Sequence, residues 1–190
     1  MMNLISKHHK TKALRGFSLV ELLVVVTIIA ILSGLVIGVT AFVQRKSAID
    51  QATTDLNHFS LKIEEYKADV KGDLPVEEDK TGIIIYRMLY GDGIGSDGIA
   101  GTGDDGALDG RPDEGAIIYI GDFDPNTNKK RWIDKKGRDF PVEVVDPWGN
   151  AWRYRRLPGD PSMVNPDGSF DLWSLGPDGE NGTADDIKNW

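Results

Sequence analysis

Apolar residues fill one stretch near the N-terminus and then recur at a helical interval. From Phe17 to Val43 the only ionisable group is Glu21, and Leu22 to Val43 are twenty-two uncharged residues in succession. As a helix rising about 1.5 Å per residue they reach roughly 33 Å, enough to cross a hydrocarbon core of about 30 Å. Beyond Val43 the apolar positions are Ile49, Ala52, Leu56, Phe59, Ile63, Tyr66 and Val70, in alternating steps of three and four. This stripe predicts one helix continuing to about Val70, packed on one side and wet on the other in its second half. A coiled-coil dimer would use the same stripe. However, Lys71-Gly72-Asp73-Leu74-Pro75 stops the helix, and the 115 residues that follow need a surface to pack on.

Lys80 to Tyr90 holds Ile83, Ile84, Ile85, Tyr86, Met88, Leu89 and Tyr90, and by propensity alone it would suit a strand. Gly91 to Gly115 is rich in glycine and acids and reads as loop. Its Gly93-x-Gly95-x-x-Gly98 matches a dinucleotide-binding fingerprint only by accident, since Asp92 and Asp97 would repel a pyrophosphate. The remainder reads as β-structure. Ala116 to Ile120 is a short apolar strand, and Lys130 to Ile133 and Phe140 to Val145 flank a turn at Asp134 to Gly137. Asp146-Pro147-Trp148-Gly149-Asn150 is a turn, and strands follow at Trp152 to Arg155 and at Phe170 to Ser174. Helix first and strands after is an α+β order, with a small C-terminal antiparallel sheet packed on the stripe of the long helix.

Charge divides the chain in three. Residues 1–16 carry Lys7, Lys10, Lys12 and Arg15 and no acid, so the leader stays cytoplasmic by the positive-inside bias. Residues 17–43 form the membrane and assembly helix, and 44–190 form one exported domain that includes the second half of the long helix. The formal net charge is −8, and without the leader 18 basic residues face 30 acidic ones, a net −12. That sign argues against a nucleic-acid partner and favours divalent cations. There is no cysteine, so the exported domain is held by its core or by metal.

Glu21 is the first chemical oddity. An acid near the edge of a membrane helix needs a positive partner or a place at the interface. Cutting the chain after Gly16 would expose the Phe17 amine four residues before Glu21, on the same helix face. Within one chain or between neighbours, the two charges would neutralise each other. An interfacial carboxylate in an ordinary signal anchor is the plainer alternative.

Arg15-Gly16-Phe17-Ser18-Leu19-Val20-Glu21-Leu22-Leu23-Val24-Val25 resembles the type III signal of type IV pilins and pseudopilins. The resemblance implies cleavage between Gly16 and Phe17 by a prepilin peptidase and N-methylation of Phe17. It also implies pairing of Glu21 with the N-terminus of an adjacent subunit during filament assembly. The fold it implies is type IV pilin-like, with a short second helix at 80–90.

The second chemical signal is the tail Ser174-Leu175-Gly176-Pro177-Asp178-Gly179-Glu180-Asn181-Gly182-Thr183-Ala184-Asp185-Asp186-Ile187. If Asp178, Asp185 and Asp186 converge they repel unless a cation lies between them. Oxygen ligands on a flexible glycine loop suit Ca²⁺ and not zinc or copper. The alternative is a solvated acidic loop. This tail and the Asp146 to Asn150 turn are together similar to the major pseudopilin of type II secretion systems. That resemblance implies Ca²⁺ held by the side chains of Asp178, Asp185 and Asp186 and the main-chain oxygens of Leu175 and Glu180. It further implies a helical homopolymer at the bacterial inner membrane, N-terminus cytoplasmic and head periplasmic, meeting minor pseudopilins and an assembly platform.

Asp97-Gly98-Ile99-Ala100-Gly101-Thr102-Gly103-Asp104-Asp105 repeats the spacing of residues 178–186. Asp97, Asp104 and Asp105 are therefore candidates for a second calcium site, with an acidic insertion as the alternative. Catalysis finds no support, because His58 is the one histidine after the leader and has no nucleophile motif beside it. A type IV pilus subunit is the nearest rival reading, and a membrane-tethered calcium-dependent binding protein is the rival from another class.

Overall fold

The computed structural model describes residues 16–71, 74–80, 82–135, 142–165 and 169–190, leaving aside the side chains of 35–39, 41 and 77–80. The leader up to Arg15 lies outside the described residues. Two compact units divide the chain, Met1–Gln44 and Arg45–Trp190.

Helix α1 runs from Leu19 to Asp69, as the apolar segment and the stripe together require. It ends with Lys71 in the left-handed conformation at φ +56°, one residue before the glycine expected to stop it. In the first unit the large apolar side chains from Phe17 to Leu32 are all 48–80% exposed. The membrane-spanning expectation for 17–43 is not confirmed: among the described residues, no helix is long and apolar enough to cross a membrane.

The second unit is built on the stripe. Ala52, Leu56, Phe59, Ile63 and Tyr66 are buried, whereas Ile49 at the head of the stripe is not. Phe59 is the hub, meeting the rings of Trp132, Phe123 and Trp152 edge-on at 5.1, 5.4 and 5.5 Å. His58 is exposed and lies against Trp132 at 5.8 Å.

After α1 come β1 (Glu77–Lys80) and α2 (Ile83–Tyr90), so 83–90 is a helix despite its β-branched residues. Just before it, Gly82 lies against main chain with no room for a side chain, since a Cβ there would lie 2.4 Å from the Val144 carbonyl oxygen. The helix stops at Gly91, left-handed at φ +78°, whose N–H donates to the Arg87 carbonyl. Residues 91–115 form no helix or strand, as composition requires, yet Ile94 and Ala100 are fully part of the core.

The expected strand at Ala116 to Ile120 is absent. The N–H groups of Tyr119 and Ile120 both donate to the Leu89 carbonyl, which ties the segment to α2 instead of to a ladder. A short 3-10 turn, Gly121–Phe123, follows. β2 (Ile133–Lys135) pairs antiparallel with β3 (Val142–Val144). The expected strand from Lys130 therefore begins three residues late, Asp134 and Lys135 belong to β2 and not to the expected turn because they pair with Glu143 and Val142, and the rest of that turn lies outside the described residues. β4 (Arg153–Arg156), β5 (Asp171–Ser174) and β6 (Ile187–Lys188) form with β1 a four-stranded antiparallel sheet in the order β1-β4-β5-β6. Trp152, Tyr154, Phe170 and Leu172 face α1 from this sheet and close the core.

Candidate functional site

Gly16, Phe17 and Ser18 precede α1, and a Cβ on Gly16 would meet nothing within 4 Å. Glu21 sits in the first turn, where its Oε2 accepts the Ser18 N–H at 2.9 Å. This is one half of a capping box, with the acid beside the positive end of the helix. Glu21 and the Gly16-Phe17 junction are thus at the same helix end.

The C-terminal tail leaves β5 through a polar cradle. Asp146 is buried; its Oδ1 accepts the N–H groups of Trp148 and Asn150, and its Oδ2 accepts the Ser174 hydroxyl at 2.6 Å. Ser174 Oγ in turn accepts the Gly176 N–H, and Asn150 Nδ2 donates to the Gly176 carbonyl at 2.9 Å. Both main-chain groups of Gly176 are therefore pinned to the Asp146 to Asn150 turn. Asn181 accepts the Trp173 indole N–H and fixes the far side of the loop. The tail motif alone gives no hint of this cradle; its signal was the Asp-Pro-Trp-Gly-Asn turn.

Within the loop, Asp178 Oδ1 accepts the Glu180 N–H at 2.8 Å, and Asp185 Oδ2 accepts the Asp178 N–H at 3.2 Å. Asp185 Oδ1 accepts the Thr183 hydroxyl at 2.6 Å, which holds its carboxyl below the usual range. The same hydroxyl lies 3.3 Å from the Glu180 carbonyl oxygen. Asp186 Oδ2 accepts the Gly182 N–H at 2.8 Å and lies 3.2 Å from Lys188 Nζ. The Asp186 side chain is only 1% exposed, and its Oδ1 is buried with no hydrogen-bond partner. Among the described residues, no three acids or histidines stand close enough together to hold a metal ion. The loop brings Asp178 to Asp185 through the main chain and leaves Asp186 on the side of Lys188. Leu175 is buried at the loop entrance.

Residues 95–105 have the same build. Asp97 Oδ1 accepts the Ile99 N–H, Asp104 Oδ2 the Asp97 N–H, Asp104 Oδ1 the Thr102 hydroxyl, and Asp105 the Gly101 N–H. Each has its counterpart 81 residues later, including the threonine bond at 2.6 Å in both loops. Gly95, Gly98 and Gly101 are left-handed at φ +69°, +73° and +83°, matching Gly176, Gly179 and Gly182 at +66°, +70° and +86°. Hydrogen bonds from Thr102 and then Ser96 pull the Asp104 carboxyl down to about 2. The structure thus extends the sequence repeat to G-x-D-G-x-x-G-T-x-D-D over eleven residues of each loop.

Residues 12–37 match the prokaryotic N-terminal methylation motif, and residues 123–190 match the family of type II secretion system (T2SS), protein G. A methylation motif leading a long helix that packs on small antiparallel sheets defines a pilin-like subunit. Type II secretion system core protein G of Escherichia coli (strain K12) is 30% identical over 178 residues, covering 93% of this chain and 90% of that protein. The core protein G of Pseudomonas aeruginosa is 29% identical over 92% of this chain and 94% of its own length. That of Pectobacterium carotovorum subsp. carotovorum is 24% identical over 93% and 84%. No solved structure matches the chain. The chain belongs to the type II secretion system core protein G family.

Proposed function

We propose that this pseudopilin subunit of a type II secretion system builds the shaft of a periplasmic pseudopilus. A prepilin peptidase cuts between Gly16 and Phe17, and the Phe17 amine is methylated. The first half of α1 rests in the inner membrane and then passes into a filament of identical copies, joined by minor subunits and driven by a membrane assembly platform. The work is mechanical, and no step needs a catalytic residue.

One observation carries this reading: the N-terminal unit exposes apolar side chains on every face of its helix, with Glu21 the sole acid among them. A surface of that kind is unstable in water and requires lipid or neighbouring helices around it. Glu21 already turns its carboxylate to the helix N-terminus. Cleavage places a new cation there, and in a filament the amine of an adjacent copy meets it without a long reach. In cells carrying the secretion system, crosslinking of the parent chain gives a ladder of multimers, and Glu21→Ala removes the ladder while leaving the cleaved monomer. An equal ladder from Glu21→Ala rejects the assembly role. A parent chain that gives no ladder favours the tethered calcium-dependent binding protein.

For the tail, the donor set fits a hard divalent cation. Asp178, Asp185 and Asp186 with the main-chain oxygens of Leu175 and Glu180 would hold Ca²⁺, which supplies the charge neutralisation that the loop lacks. Support comes from the buried Asp186 Oδ1, since a carboxylate oxygen without a partner costs the fold unless a cation meets it. Residues 45–190 form a compact unit containing every buried core residue among the described residues, so that fragment serves for the measurement. At a hundredfold excess of ion over the dissociation constant, chelation removes about 2.7 kcal/mol and lowers Tm by roughly 5–10 °C. Asp185→Ala removes the difference between the two curves. Identical melting with and without chelator in the parent fragment rejects the calcium role.

A further inference from the structure

The two eleven-residue loops share the hydrogen bonds named above and their left-handed glycines; they differ in Ser96, whose N–H and hydroxyl donate to Asp104 where Pro177 has no donor, and in what meets the last aspartate. In the C-terminal loop Asp186 has one ammonium beside one oxygen, from Lys188, and its other oxygen is bare. In the first loop Asp105 Oδ2 lies 2.8 Å from Arg87 Nη1, with both side chains about four-fifths buried. Both Asp105 oxygens also lie within reach of the Gly101 N–H, at 3.2 and 2.9 Å.

Arg87 does more than pair with that acid. Its Nη1 donates to the Gly93 carbonyl at 2.6 Å, and its Nη2 donates to the Gly106 carbonyl at 3.2 Å. Those two carbonyls stand just before and just after the loop, so one planar guanidinium ties the loop's entry, exit and last carboxylate together. A divalent ion needs six to eight oxygens, and three nearby ones are already taken by a cation that cannot dissociate. Lys188 offers no such closure; it is a single point charge that touches one oxygen of its loop.

We propose that Arg87 is a built-in replacement for the metal ion in loop 95–105, so that the head binds one Ca²⁺, in loop 176–186, and not two. Asp97, Asp104 and Asp105 are then structural acids closed by an internal cation. This rests on the reading of loop 176–186 as a calcium site. The first loop stays closed in chelator, and the second opens.

Two measurements on the full chain in detergent micelles test this. Calorimetric titration with Ca²⁺ is expected to give one ion per chain, lost in Asp186→Asn and retained in Asp105→Asn. Amide hydrogen exchange is expected to show the Gly182 N–H, which donates to Asp186, exchanging at least tenfold faster in chelator. The Gly101 N–H, which donates to Asp105, is unchanged by chelator in the parent and at least tenfold faster in Arg87→Gln. Two ions per parent chain, an equal response of Gly101 and Gly182 to chelator, or a Gly101 rate unmoved by Arg87→Gln overturns the proposal. No bound ion, with neither amide responding to chelator, sinks the calcium reading itself and this proposal with it.

Discussion

Phe59→Ala is expected to destabilise the head by about 3–5 kcal/mol, read as a lower urea midpoint at unchanged slope. Phe59 is fully buried, and three other aromatic rings point their edges or faces at it within 5.5 Å. Those rings come from the helix-proximal segment at Phe123, from the lead-in to β2 at Trp132 and from the lead-in to β4 at Trp152. Truncation leaves a cavity that none of them can fill alone, because each is fixed by its own neighbours. Domains of this size have about 5–15 kcal/mol in total, so the loss is a large share of it. Leu61→Ala, two residues on but 67% exposed, is the matched control and should shift stability by less than about 0.5 kcal/mol. A Phe59→Ala loss below about 1 kcal/mol would show that the ring cluster is not the centre of the fold.

Gly176→Ala is expected to disrupt the C-terminal loop far more than Gly182→Ala. Both glycines are left-handed, and an alanine in that conformation costs about 1–2 kcal/mol on backbone grounds alone. At Gly182 that is the whole penalty, because an added Cβ meets nothing within 4 Å. At Gly176 the same Cβ would lie 2.3 Å from the Asp185 carbonyl oxygen and 2.8 Å from its carbon. Backbone cannot retreat like a flexible side chain, so Gly176 must move, and its hydrogen bonds to Asn150 and Ser174 break with it. The expected result is a total loss of about 3 kcal/mol or more for Gly176→Ala, including two hydrogen bonds of about 1 kcal/mol each. Equal melting temperatures for the two variants would refute this account of the loop.

The helical stripe was legible because a single periodic rule governs it, and Ala52 to Tyr66 are buried as spaced. Ile49 escapes the rule since it lies where the head's packing begins. The helix at Ile83–Tyr90 runs against the strand preference of its isoleucines; here the family resemblance succeeded where propensity would have failed. The strand expected at Ala116 to Ile120 failed for the opposite reason. Its apolar run is real, but Ile117 and Ile118 are exposed, and the Leu89 carbonyl takes the N–H groups a ladder would have used. β1 and β6 left no trace in the pattern, being two to four residues long and mostly polar.

The candidate site divides in the same way. Glu21, the glycine-aspartate spacing and its duplication can be seen along a line of letters because every partner lies within a few residues. Arg87 cannot, because its contacts with Gly106 and Asp105 join a helix to a loop 18 or 19 residues away. Asn150 and Ser174 are likewise brought to the tail by the pairing of strands. What the letters leave out is the set of contacts that only folding creates.

Among the described residues, three hydrogen bonds fasten the second half of α1 to the rest of the head, one of them from the Tyr119 hydroxyl to Asp69 at 2.7 Å. The Trp132 indole N–H donates to Asp55 at 2.9 Å, and the Tyr66 hydroxyl accepts the Ala100 N–H at 3.0 Å. Asp55 and Asp69 lie fourteen residues apart on the helix, a span of about 21 Å. Force along the helix axis therefore shears all three together instead of peeling them one after the other. The second half of the helix and the domain packed on it therefore move as one piece under load along the helix axis.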